Sequence, residues 1–144
     1  MKVLFYRAKY GNWQDRFVAL WTWGPHSHCE LMFSDGSCFS ASARDGGTRF
    51  KKITFLPERW SAIEIDIEDE EPLRDWCRSN AGLGYDWRGI AWFLPTPLPH
   101  IEDRNKWYCS EICAVALRKF LGVRLSSRLS PNGLYRKLLR RLQS

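Results

Sequence analysis

The stretch WYCSEICAVALRKFLG, residues 107–122, has the clearest helical pattern in the chain. It predicts a helix over residues 109–121, because its apolar side chains recur at the spacing of one helix face. Gly122 is a residue type that ends helices, and Cys109 falls in the first turn. The predicted inner face consists of Ile112, Cys113, Ala116, Leu117 and Phe120.

Cys109 is the residue of this helix that most suggests chemistry. A thiol at a helix N-terminus faces the positive end of the helix dipole, which lowers its pKa and favours the nucleophilic thiolate. The unpaired N–H groups of the first turn can also hold an oxyanion. The alternative is that Cys109 is a small buried residue that happens to begin a helix. Cys113 lies on the apolar face and is expected in the core.

Upstream of this helix, strand patterns fill the first half of the chain and helical patterns the second half. We therefore expect a single α+β domain over residues 1–144, with an antiparallel sheet packed against helices. The predicted strands are residues 2–7, 16–23, 28–33, 37–43, 50–55 and 61–67, with turns at 34–36 and 45–47. The predicted helices cover about 71–82, 86–92, 109–121 and 130–142, with a proline-rich loop over 95–99.

The composition is that of a globular protein with a packed core. Of the 144 residues, 44% are hydrophobic and 15% aromatic, which excludes disorder over most of the chain. No apolar run has the length of a membrane span and no secretory signal is recognisable, so a cytoplasmic location is expected. The five cysteines are an odd number and include no Cys-x-x-Cys pair. This pattern argues against a disulfide framework and also against a metal site.

The positive charge is concentrated at the C-terminus. The net charge is +6, and eight of the 22 basic residues but none of the 16 acidic ones lie from Arg118 onward. The predicted helix over 130–142 is therefore basic and amphipathic. It can meet an anionic membrane surface or an acidic partner, or it can simply be a solvated face with its leucines on the domain. No nucleic-acid motif is recognisable, so no specific nucleic-acid partner is expected.

The strand over 28–33 carries a candidate base for the thiol. Side chains two apart share a strand face, so His28 and Glu30 point the same way, opposite Cys29. A carboxylate beside a histidine can orient the ring and stabilise its charged form. The alternative is a solvent-exposed strand face. Of the other histidines, His26 and His100 are expected in loops.

The order of these motifs resembles a known family. Ser27-His28-x-Glu30 on a strand is followed by a hairpin, by Tyr85-Asp86-Trp87 and finally by Trp107-Tyr108-Cys109-Ser110-Glu111. This arrangement is similar to the circularly permuted papain-like cysteine hydrolases, the NlpC-related branch that includes YiiX-like proteins and lecithin retinol acyltransferase. In that branch the histidine precedes the cysteine, as here. The resemblance covers about residues 18–121.

The resemblance implies roles for individual residues. Cys109 matches the nucleophile and His28 the base. The third polar member of the family triad usually lies on the next strand, where this chain has serines, so Glu30 is the preferred orienting residue and Ser40 the second candidate. Tyr85 matches a position that lines the active site. Tyr108, beside the nucleophile, is a second substrate-binding candidate.

The implied activity is acyl transfer through a thioester on Cys109, without a metal or organic cofactor. The leading expectation is a cysteine hydrolase that cleaves an amide bond in a peptide, isopeptide or peptidoglycan fragment. One alternative is a thioesterase or acyltransferase that acts on lipid or acyl substrates at a membrane. Another is a non-enzymatic binding module that uses the basic C-terminal tail. The oligomeric state stays open.

Overall fold

The computed structural model describes residues 1–88 and 105–142 and has an α+β fold, as the sequence predicts. Seven strands within these residues form one sheet in the order β5-β1-β2-β3-β4-β6-β7. Neighbouring strands are antiparallel except β6 and β7, which are parallel. The strands are β1 (Lys2–Arg7), β2 (His26–Met32), β3 (Ser37–Ser42), β4 (Gly47–Lys52), β5 (Trp60–Glu64), β6 (Gly84–Tyr85) and β7 (Lys106–Trp107).

The described residues contain four α-helices: α1 (Trp13–Trp21), α2 (Glu71–Ser79), α3 (Cys109–Leu121) and α4 (Pro131–Leu142). The predicted bounds of α3 are confirmed, and the helix ends at Gly122, whose φ of 61° is a left-handed conformation that favours glycine. None of the helices in the described part of the chain has both the length and the apolarity needed to cross a bilayer. The predicted helix over 86–92 extends outside the described residues, and the proline-rich loop and His100 lie there too.

Helix α1 corrects the strand predicted over residues 16–23. Asn12 and Asp15 form a capping box: the Asp15 N–H donates to the Asn12 side chain at 3.1 Å, and the Asn12 N–H donates to the Asp15 carboxylate at 3.0 Å. These bonds satisfy donors that the start of a helix leaves unpaired. The strand prediction is wrong because it followed the aromatic and β-branched side chains rather than the capping residues.

The two faces of the sheet bury different clusters. Helices α2, α3 and α4 cover one face, where Leu31 and Phe39 are fully buried. Strand residues whose side chains point the other way, such as Leu4, belong to a smaller cluster on the opposite face of the sheet. Because side chains alternate along a strand, His28 and Glu30 belong to this second face, and β2 carries core residues and polar residues on opposite sides.

Strands β2 and β3 diverge where the site lies. They pair at the end of β2 that contains Leu31. Closer to the start of β2, the Ser40 hydroxyl donates to the Cys29 carbonyl at 2.7 Å and so replaces a hydrogen bond between main chains. The first turn of α3 packs against this end of β2, so that Cys109 and Cys29 share the main core and the charge of His28 acts on the Cys109 thiol.

Candidate active site

His28 and Glu30 form the polar pair that the strand pattern predicts. The Nε2 atom of His28 lies 2.7 Å from Oε1 of Glu30. The His28 side chain is 21% exposed and that of Glu30 only 1%. Glu30 is therefore not on a solvent-exposed strand face, and its carboxylate is positioned to hold the ring and to stabilise a proton on it.

Cys109 begins α3 and keeps 5% of its surface exposed. A hydrogen bond from the Cys29 thiol holds the pKa of Cys109 well below its usual range. Burial opposes this shift, but the positive charge of His28 and a hydrogen bond from its ring add to it. The helix N-terminus acts in the same direction. Cys109 is thus the thiol in this site that carries negative charge most readily.

The charge on His28 complements that of Cys109. Burial disfavours the imidazolium, but the Cys109 thiolate and the hydrogen bonds to Cys109 and Glu30 outweigh burial and raise the pKa of His28 to about 10. Because Nε2 faces Glu30, Nδ1 is the ring nitrogen that is available to donate a hydrogen bond to Cys109. The arrangement favours a thiolate–imidazolium pair with a carboxylate behind it.

Arg49, which the sequence analysis did not identify, holds Glu30 from the other side. Its guanidinium donates to both carboxylate oxygens of Glu30, at 2.7 and 2.8 Å, and its Nε donates to Asp45 at 2.7 Å. Burial would raise the pKa of Glu30, but the hydrogen bonds from His28 and Arg49 outweigh it and keep the pKa low. Arg49 of β4 lies opposite Ser40 of β3, and it is this register, which no local sequence pattern shows, that places Arg49 beside Glu30.

Ser40, the second candidate for the third member, is not brought to the histidine ring. Its hydroxyl donates to the Cys29 carbonyl, and its side chain is fully buried. Ser40 therefore fixes the backbone of β2 next to His28. The residue that contacts the His28 ring is Glu30.

A cavity of about 540 Å³ opens beside the polar pair. His28 and Glu30 form part of its wall, and three exposed aromatic side chains also line it: Trp13 and Phe17 of α1, and Trp87 after β6. A polar group that can react and an apolar rim are the usual elements of a small-molecule site. The sequence pattern does not predict this contribution of α1, because it favours a strand over residues 16–23 where the structure has a helix.

The two tyrosines predicted to bind substrate lie in different surroundings. Tyr85 lines the cavity and packs edge-on against Trp87, with ring centroids 5.0 Å apart. Burial raises the pKa of Tyr85, so its hydroxyl stays protonated. Tyr108 is 3% exposed, and its hydroxyl donates to the Ser127 carbonyl at 2.8 Å. The hydroxyl of Tyr108 thus anchors the chain after α3.

His26, predicted in a loop, is instead the first residue of β2 and 1% exposed. Its Nδ1 lies 3.2 Å from the Asn132 side-chain oxygen and its Nε2 lies 2.9 Å from the Ser61 hydroxyl. Burial lowers the pKa of His26 to about 4, so the ring is neutral near neutral pH. These partners give His26 a structural role between β2, β5 and α4.

Comparison with protein-family models, with curated proteins and with solved structures finds no match to this chain. Among residues 1–88 and 105–142, no group of three or more histidine, cysteine or acidic side chains is arranged to hold a metal ion.

Proposed function

We propose that the protein is a cysteine hydrolase that cleaves an amide bond, in a peptide, isopeptide or peptidoglycan fragment, through a thioester on Cys109. The observation that carries the proposal is that the buried Glu30 carboxylate holds the His28 ring at 2.7 Å, and that this ring and the thiol of Cys109 at the start of α3 favour each other's charged form. The proposed fold is the circularly permuted papain-like, NlpC-related one. Its support is the chain order, in which the histidine strand precedes the cysteine helix, and the packing of that helix on the sheet.

The first step is attack on the substrate carbonyl. The Cys109 thiolate forms the S–C bond, and the negative charge moves to the carbonyl oxygen. Main-chain N–H groups in the first turn of α3 point toward the start of the helix and can stabilise this oxyanion. Because the thiolate is already paired with an imidazolium, no further proton has to be removed before attack.

The second step releases the amine. The proton on His28 passes to the leaving nitrogen as the C–N bond breaks and the thioester forms. Once the thiolate is consumed, the charge that raised the pKa of His28 is gone, and the imidazolium becomes a stronger acid. An amine leaving group needs such a proton, which favours an amide as the scissile bond. Neutral His28 then activates water, and hydrolysis of the thioester restores the pair.

The test is the rate of iodoacetamide modification of each cysteine against pH, followed by peptide mass spectrometry. Cys109 should react fast below the pH at which an ordinary thiol ionises, and Cys113, fully buried in the core, should not. His28→Ala should move the Cys109 profile to higher pH. A Cys109 profile equal to that of an ordinary thiol in both proteins would overturn the proposal.

Once an amide substrate is found, the rate of its hydrolysis is the second measurement that tests the proposal. Cys109→Ala should abolish hydrolysis, and His28→Ala should nearly abolish it. Cys113→Ala is the matched control, because it removes a fully buried thiol that lies one helical turn after Cys109 on α3. It should lower stability more than it lowers turnover. Full turnover by the Cys109→Ala protein would exclude this mechanism.

A second candidate is thioester or acyl-ester chemistry on lipid or acyl substrates at a membrane. The aromatic rim of the cavity favours it, because Trp13 and Phe17 present apolar surface to an incoming acyl chain. Cys109 and His28 would act as nucleophile and base in this chemistry as well. Comparing acyl thioesters with peptide amides of matched chain length under identical conditions separates the two candidates.

A further inference from the structure

Helix α1 turns its apolar stripe toward solvent. Trp13, Phe17 and Leu20 are 74%, 51% and 80% exposed, whereas Ala19 on the other side is buried. Their positions i, i+4 and i+7 have the spacing that usually faces a core. A contiguous exposed apolar surface of this kind marks an interaction site.

Trp23 extends this surface beyond the end of α1. It follows Thr22, the C-cap of the helix, and has a φ of 53°, a left-handed conformation in which glycine is favoured at this position. A tryptophan is disfavoured there, and Trp23 gains no burial, since 87% of its surface is exposed. The fold therefore holds a large aromatic side chain in solvent at a cost in conformational energy. Together, Trp13, Phe17, Leu20 and Trp23 are called the α1 surface below.

Positive charge borders the α1 surface. The Arg136 guanidinium of α4 donates to the Trp23 carbonyl at 3.0 Å, and Arg140 follows one turn later. Both arginines are exposed. The acidic residue of α1, Asp15, is paired with Arg44, so its charge is offset. The border is thus basic where α1 meets α4.

We propose that the α1 surface docks on a phospholipid bilayer with anionic headgroups. Tryptophan and phenylalanine favour the boundary between headgroups and acyl chains, and arginines next to them are attracted to anionic lipids. A second copy of the chain would instead oppose like charges. Since Trp13 and Phe17 also line the cavity that contains His28, docking places the mouth of the cavity at the membrane. The inference rests on exposure and charge and not on the proposed chemistry.

The experiment is flotation with vesicles of phosphatidylcholine alone and with vesicles that also contain phosphatidylglycerol. The wild type should float more strongly with the anionic vesicles. Trp23→Gly should bind about ten-fold more weakly, because one large side chain no longer enters the interface. Its melting temperature should equal or exceed that of the wild type, because glycine adopts the left-handed conformation without strain. A folded variant with lost binding cannot be explained by unfolding.

Further variants separate the parts of the surface. Leu20→Ser should weaken binding to both kinds of vesicle. Arg136→Gln with Arg140→Gln should weaken binding to the anionic vesicles only. Arg78→Gln, which removes an exposed positive charge on α2, away from the α1 surface, should leave this binding unchanged. Cys109→Ala should float like the wild type, so loss of the proposed chemistry leaves this test intact.

Three results would overturn the docking proposal. One is a wild type that floats with neither vesicle. Another is a Trp23→Gly protein that floats like the wild type, which would place binding on another surface. The third is a dimer, seen by size-exclusion chromatography, that Leu20→Ser dissociates while no vesicle binding occurs. That result would make the α1 surface a contact between copies.

Discussion

Glu30 shows how one buried carboxylate organises the candidate site. Glu30 is fully buried. Arg49 donates to both of its carboxylate oxygens, and the His28 ring lies within hydrogen-bond distance of one of them. A buried charge is strongly unfavourable unless it is paired in this way. Asp45 in turn holds Arg49. The positions of these side chains are therefore coupled, and the orientation of the His28 ring depends on residues that do not touch it.

Replacing Glu30 tests that coupling. In Glu30→Gln the negative charge beside His28 is lost, so the pKa of His28 falls and the imidazolium stabilises the Cys109 thiolate less. The midpoint of Cys109 alkylation should therefore move to higher pH, measured on protein shown to be folded by circular dichroism. Glu64→Gln is the control, because Glu64 is exposed and pairs with Lys2 of β1 rather than with His28. An unchanged midpoint in Glu30→Gln would mean that Glu30 does not support the charged ring.

His26 links stability to pH. Its folded-state pKa of about 4 lies below the ordinary value of 6.5, so between these values the unfolded chain binds a proton that the folded chain does not. The free energy of unfolding should therefore fall as the pH falls through this window, by about 3 kcal/mol from this residue. In His26→Gln this contribution should disappear. Urea unfolding at a series of pH values measures it, and parallel curves for the two proteins would contradict it.

At the scale of elements, α1 is held mainly by its ends. Of its nine residues, Ala19 is buried, so packing contributes little. The capping box of Asn12 and Asp15 begins the helix, and Asp15 also accepts a hydrogen bond from the Ser27 hydroxyl of β2 at 2.8 Å. Asp15 thus joins α1 to the strand that carries His28.

Removing the cap should loosen α1. Asn12→Ala deletes the acceptor for the Asp15 N–H and should cost about 1 kcal/mol. Amide protons of α1 should then exchange faster in hydrogen-exchange mass spectrometry, while those of α3 stay protected. Gln14→Ala, an exposed residue in the same turn, is the control and should leave exchange unchanged. Equal exchange in both variants would show that the cap does not hold the helix.

At the scale of the whole molecule, α4 connects the C-terminus to the site. Its Leu134 and Leu138 side chains are buried in the main core, on the sheet face that the helices cover, and its basic side chains are exposed. Asn132 accepts from the His26 N–H at 2.9 Å and donates to the His26 carbonyl at 2.8 Å, which fixes the start of β2. The C-terminal helix is therefore part of the domain that supports His28.

Shortening a leucine of α4 should destabilise the entire domain. Leu138→Ala leaves a cavity in the core and should lower the free energy of unfolding by about 2–5 kcal/mol. Lys137→Ala, the exposed neighbouring residue, should change it by less than about 0.5 kcal/mol. Chemical denaturation of both variants measures the difference. Similar values would mean that α4 does not share the core.

Several features were predictable because they are local. The bounds of α3 follow from apolar spacing and Gly122, and the shared face of His28 and Glu30 follows from the alternation of a strand. Arg49 was not predictable in the same way, because its partner lies on another strand and the register decides the contact. The strand predicted over residues 16–23 was wrong, although the capping signal of the helix Trp13–Trp21 was present.

The sequence by itself determined the α+β class, the helix that begins at Cys109 and the polar side of β2, since these depend on hydrogen bonding and side-chain periodicity within a few residues. The tertiary structure alone decided that Glu30, rather than Ser40, contacts the ring, that Arg49 clamps Glu30, and that α1 turns its aromatic side chains outward. These outcomes depend on which strands pair and which surfaces packing leaves uncovered. The free energy of the whole chain determines these outcomes, so they cannot be predicted from any short segment.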